Sequence, residues 1–96
     1  MKKTYISGPM TGLPGMNFSA FHEAAARLRA QGIDVVNPAE FGEEPGKEWS
    51  DYMRKDILAL MDCDRIYMLP GWTGSKGARL ELHIARALGF AVNVAA

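Results

Sequence analysis

Four short apolar runs, each divided from the next by one stretch of helical periodicity, constrain the fold of this 96-residue chain more than any other feature. Thr4 to Ser7, Ile33 to Val36, Arg65 to Leu69 and Phe90 to Val94 read as strands. Phe18 to Ala30, Trp49 to Met61 and Gly77 to Gly89 read as helices. Strands that alternate singly with helices cannot close as hairpins. Each crossover brings the next strand back in the same direction, so the sheet is parallel and its connections right-handed. The third run, apolar from Ile66 to Leu69, suits a sheet covered on both faces.

The punctuation agrees. Gly8-Pro-Met-Thr-Gly-Leu-Pro-Gly15 is a loop dense in glycine and proline, and Asn17 is placed to cap the first helix. Gly32 stops that helix, and Asn37-Pro38 ends the second strand. Residues 38–48 carry proline and glutamate and read as a loop, after which Ser50 and Asp51 suit a helix start. Asp62 and Asp64 bracket the step from second helix to third strand. The expected fold is α/β, a small Rossmann- or flavodoxin-like parallel sheet of about four strands with helices on both faces. It forms a single domain over residues 1–96.

Net charge is zero and 48% of residues are hydrophobic, so no electrostatic case exists for nucleic acid or an anionic membrane as partner. No apolar stretch approaches the roughly 20 residues of a membrane span. The N-terminal Met-Lys-Lys-Thr-Tyr-Ile-Ser-Gly-Pro lacks an apolar region of signal-peptide length. A single cysteine, Cys63, rules out an internal disulfide and fits a reducing cytosol. With two widely spaced histidines, it forms no metal-ligand pattern, so neither metal nor cofactor is expected.

Two acids break the pattern. At about 100° per residue, Arg79, His83 and Arg86 share one polar face of the last helix. Glu81 lies on the other side, in the stripe of Gly77, Ile84, Ala85 and Leu88 that should face the sheet. A lone carboxylate there is costly unless it is paired or opens onto a cleft. Glu81 also follows the C-terminal end of a strand, the edge where open α/β sheets bind ligands. Asp56 repeats the anomaly within the stripe of Trp49, Tyr52, Met53, Ile57 and Leu60. Either acid alone fits a structural role as well, held by a backbone amide or an arginine. Two on consecutive helices against one sheet point to a shared cleft. Paired carboxylates are the groups that cleave a glycosidic bond: one attacks or stabilises the anomeric carbon and the other manages the proton.

The turn Gly71-Trp-Thr-Gly-Ser-Lys-Gly77 runs straight into the last helix, where free amides and the Ser75 hydroxyl can meet an anion. It matches neither the Walker loop nor the dinucleotide fingerprint, and a glycine-rich turn is more often only a turn. His22 and His83 read as solvated, Cys63, Trp49 and Tyr52 as packing residues, and Trp72, on a loop, as a pocket-lining residue.

These residues also match a family pattern, through Tyr5-Ile-Ser-Gly-Pro-Met-Thr-Gly12, Asn17-Phe18, Val36-Asn-Pro-Ala-Glu40, Trp49 with Asp51-Tyr-Met-Arg-Lys-Asp56, Leu69-Pro-Gly-Trp72 and Ser75-Lys-Gly-Ala-Arg-Leu-Glu81. The chain resembles the nucleoside 2-deoxyribosyltransferase-like proteins, most closely the short DUF4406 branch common in phages and prophages. The resemblance implies that Glu81 attacks the sugar, that Asp56 assists at the base or sugar, and that Tyr5 and Gly8 shape the sugar pocket. Ser75 takes the place of a serine that contacts phosphate in the related deoxynucleoside-monophosphate N-glycosidases. Met10, Trp72 and Gly77 complete the expected substrate-binding set. Characterised members are longer and finish their sites with a residue of a neighbouring subunit near the C-terminus. Here the sequence closes at Ala96, so that residue is expected to be missing or to come from elsewhere.

The expected function is cleavage of a nucleoside or nucleotide N-glycosidic bond, or 2-deoxyribosyl transfer, through a glutamate nucleophile. The alternative is a catalytically silent protein that sequesters or senses a nucleotide. The expected setting is the cytosol of a bacterial host. Phe18, Phe21, Trp49 or Tyr52 on exposed helix faces predict a homo-oligomer, a dimer or higher.

Overall fold

Strands β1 (Lys3–Ser7), β2 (Asp34–Val36), β3 (Arg65–Met68) and β4 (Ala91–Val94) lie in the order β2-β1-β3-β4, every neighbouring pair parallel. The computed structural model describes residues 3–42 and 44–95; Met1 and Lys2 of the N-terminal segment, Glu43 of the second loop and Ala96 lie outside the described residues. Helices α1 (Phe18–Ala30), α2 (Trp49–Leu60) and α3 (Lys76–Ala87) connect the strands. The expected α/β sheet of four parallel strands is therefore present, with a flavodoxin-like arrangement of its elements.

The two-residue period of a strand sorts the core into two layers. In β1, Tyr5 joins Leu60, Ile66, Met68, Leu82 and Ala85 beneath α2 and α3. Ile6, one residue on, joins Phe21, Ala25, Leu28, Val35 and Leu69 beneath α1. Ile66 and Leu69 divide between the same two layers. Each large side chain buried this completely contributes roughly 1.5–3 kcal/mol.

Helix ends show where sequence and backbone part company. Asn17 does not cap α1 through its side chain; Gly15, Met16 and Asn17 are all left-handed (φ 57°, 55° and 59°). The Asn17 amide instead donates to the Pro9 carbonyl at 3.0 Å, stapling the β1–α1 loop. Gly32 ends α1 at φ 82°, a conformation glycine takes without strain. At α2 the Glu48 amide donates to Asp51 at 3.0 Å, so the cap lies just ahead of the expected Ser50. Part of the expected 38–48 loop is a 3₁₀ turn, Pro38–Phe41, because Asn37 accepts from the Ala39 amide at 3.0 Å. Arg29 holds that turn to α1 through two bonds to Glu40 (2.7 and 2.9 Å) and one to the Val35 carbonyl (3.1 Å).

Two expectations about helix faces are corrected. Phe21 is only 1% exposed, so it belongs to the core and offers no oligomer surface. Leu88, placed in the buried stripe of α3, is 59% exposed because the helix stops at Ala87 and the chain turns towards β4. Trp49 does stand partly free, at 39% exposure. Among the described residues no helix is long and apolar enough to cross a membrane.

Candidate active site

The strand order sends the chain one way from β1 to β2 and the other way from β3 to β4. The loops leaving β1 and β3 therefore diverge at the C-terminal edge, the switch point where open α/β sheets bind ligands. Their close approach depends on Gly8: a Cβ there would lie 2.8 Å from the Leu69 Cβ. A cleft of about 830 Å³ opens above this point.

Glu81 stands at its base. Its residue is 4% exposed, yet it lines the cleft. The Tyr5 hydroxyl donates to Oε2 at 2.7 Å and the Ser7 hydroxyl donates to Oε1 at 2.6 Å. Tyr5 and Ser7 are two apart on β1 and so point to the same face, towards α3. The expected anomaly is thus resolved by two hydroxyl donors and by access to the cleft. Burial pushes the Glu81 carboxyl up to about 7, against the opposing pull of the Ser7 and Tyr5 bonds, and the Asp56 charge adds a smaller upward push. Burial and the neighbouring Glu81 carry Tyr5 well above its ordinary range, which keeps its hydroxyl protonated and donating.

Asp56 lines the same cleft from α2. Burial raises it to about 6, with Lys55 opposing. Burial dominates at both acids, and the higher value falls on the deeper one, Glu81.

The spacing of α2 and α3 depends on Gly77, where a Cβ would meet the Met53 sulfur at 3.0 Å. Ser75 caps α3 by accepting from the Ala78 amide at 3.2 Å, which leaves its hydroxyl proton free to donate. Lys76, beside it, holds its Nζ 4.3 Å from the centre of the Trp49 ring. Lys55 pairs with Glu44 at 3.2 Å.

Of the residues singled out from sequence, Glu81, Asp56, Gly8, Met10, Ser75 and Gly77 meet in this cleft. Tyr5 lies below it, wholly buried, and acts on it through Glu81. Trp72 does not line it; its side chain is partly buried against the core layer of Ile66 and Leu82. Ser7 was missed, although its position two residues after Tyr5 was a usable signal. Lys76 and the apolar Met16, Phe18 and Phe41 also line the cleft and were missed, because loops and helix starts carry no periodicity; Lys55, mid-way along α2 and off its apolar stripe, was missed as well. Among the described residues no group of three or more His, Cys, Asp or Glu is gathered to hold a metal ion.

The fold is similar to that of a 2-desoxiribosyltransferase from Leishmania mexicana, with a TM-score of 0.74 over 98% of this chain at 20% identity. The chain spans 63% of that protein's length. No protein of curated function matches the sequence. Residues 2–94 match the family described as Domain of unknown function (DUF4406), and the chain belongs to that family.

Proposed function

We propose that this protein cleaves the N-glycosidic bond of a 2-deoxynucleoside or its 5′-monophosphate, with Glu81 as nucleophile. The observation that carries this reading is a buried carboxylate, open to a cleft, whose two oxygens are aimed by Tyr5 and Ser7. A Glu81 oxygen attacks the anomeric carbon as the bond from that carbon to the base nitrogen breaks. The electron pair leaves with the base, which takes its proton from Asp56. Water or a second base then attacks the same carbon and releases Glu81, giving hydrolysis or transfer respectively. The likeness to a 2-desoxiribosyltransferase supports the substrate class. The N-terminus of α3, with Ser75 and Lys76, favours an anionic group such as a 5′-phosphate.

Base release or exchange from a panel of deoxynucleosides and their monophosphates tests this reading. Release by the wild type, abolished in Glu81→Ala, is expected; release unchanged in Glu81→Ala removes the mechanism.

One observation favours a second reading, a nucleotide-binding protein without turnover. A carboxyl at about 7 is half neutral near physiological pH and can hold a ligand hydroxyl rather than attack carbon. Tight nucleotide binding without product, preserved in Glu81→Gln, would select it.

A further inference from the structure

The cleft has two unlike walls. On the side of α2 and α3 stands every charged group of the lining, the two acids with Lys55 and Lys76, beside Ser75 and among Trp49, Tyr52 and Met53. The other side is built from the β1–α1 loop, the start of α1 and the turn after β2. It presents Met10, Met16, Phe18, Phe21, Pro38 and Phe41, all apolar. Two backbone carbonyls beside this wall are already engaged: that of Pro9 accepts from Asn17 at 3.0 Å and that of Met10 from the Leu13 amide at 3.1 Å. Of the polar side chains that α2 brings to the cleft, two are committed and Asp56 is left to deliver the proton. Tyr52 exchanges bonds with the Glu44 backbone (3.1 and 2.9 Å), and Lys55 is paired to the Glu44 carboxylate. Thr11 is exposed at the rim. Met16 reaches the cleft from a turn whose backbone is left-handed, at φ 55°, a conformation an L-residue adopts at a cost.

From this division we infer that the cleft selects its leaving group by shape and apolar contact rather than by a hydrogen-bond pattern, and that alkylated or otherwise weakly polar aromatic bases are its preferred class. The inference rests on the glycosidic reading above for the word "leaving". The binding preference itself rests on the wall. A base edge rich in amino and carbonyl groups loses water against such a surface without gaining a partner. A ring bearing a methyl group gains about fourfold for each methyl buried. Hydrogen-bonding sites discriminate by roughly 10⁴–10⁵, whereas apolar pockets separate close analogues by only about 10–200-fold. Methionine-lined surfaces adapt further to ring size.

The test has two arms. In the first, kcat/KM for base release is compared across the standard deoxynucleosides, their monophosphates and their base-methylated counterparts. The expected result is a spread within about 200-fold among standard bases, with methylated bases ahead; a single base preferred by about 10⁴ overturns the inference while leaving the glycosidic reading intact. In the second arm, calorimetry compares benzimidazole and indole with adenine and uracil, in the wild type, Phe41→Ala and Met16→Ala. Binding of the apolar rings at least as tight as adenine, weakened in both variants, supports the inference even if no substrate is cleaved. Failure of the apolar rings to bind overturns it.

Discussion

Removing the Tyr5 hydroxyl should slow the reaction in a strongly pH-dependent way. In Tyr5→Phe, Glu81 loses the 2.7 Å bond at Oε2 and keeps only the one from Ser7. A hydrogen bond to a charged group is worth about 1.5–3 kcal/mol, or roughly 1–2 pKa units. That bond stabilises the ionised carboxylate, so its loss moves Glu81 upwards from about 7. In the wild type, activity needs Glu81 ionised and Asp56, at about 6, protonated. Near pH 6.5 about a quarter of each group is in the required form, so roughly 6% of molecules hold both. In Tyr5→Phe the ionised fraction of Glu81 at that pH drops about 10- to 100-fold, and kcat/KM with it. At about pH 9 Glu81 is largely ionised in both proteins, and the deficit closes to within about twofold. Base-release rates from about pH 5 to about pH 9 measure the ratio. A loss of equal size at every pH would mean that Tyr5 only supports the fold, and would refute this view of how Glu81 is tuned.

Three further outcomes are expected. Gly8→Ala places a Cβ 2.8 Å from that of Leu69, and urea denaturation should show a loss of about 1–3 kcal/mol. Met16→Gly relieves a left-handed backbone worth about 1–2 kcal/mol, so thermal melting should rise while calorimetry shows weaker binding of aromatic ligands. Folded Glu81 keeps its proton to about 7 while the unfolded chain releases it near 4.5, so the contribution of Glu81 to stability is greatest below that lower value and declines as pH rises through the window. The decline approaches about 3 kcal/mol. Glu81→Gln has no proton to lose there, and denaturation curves should show its stability gaining on the wild type from acid to neutral pH.

The elements that sequence made legible are those in which one physical requirement dominates. Ile6 and Tyr5 had to face opposite layers, and an acid in the buried stripe of α3 had to meet a partner or a cleft. What stayed hidden depends on backbone detail. Asn17 has the chemistry of a cap, but the left-handed path from Gly15 turns its side chain to Pro9. Trp72 sits on a loop, but that loop folds its indole against the core. Ser7 was legible as a strand residue, but its hydroxyl gains a role only where the fold brings Glu81 of α3 to within 2.6 Å of it. The order of the two acid pKa values followed depth rather than mutual charge, and depth is a property of the folded chain alone.

The most direct measurement is intact-protein and peptide mass spectrometry after rapid mixing with deoxynucleosides or their monophosphates. A nucleophilic Glu81 predicts a deoxyribosyl adduct on the peptide that contains it, appearing with base release and absent in Glu81→Gln. Base release that persists in Glu81→Gln, or an adduct mapped to any other residue, would contradict the assignment.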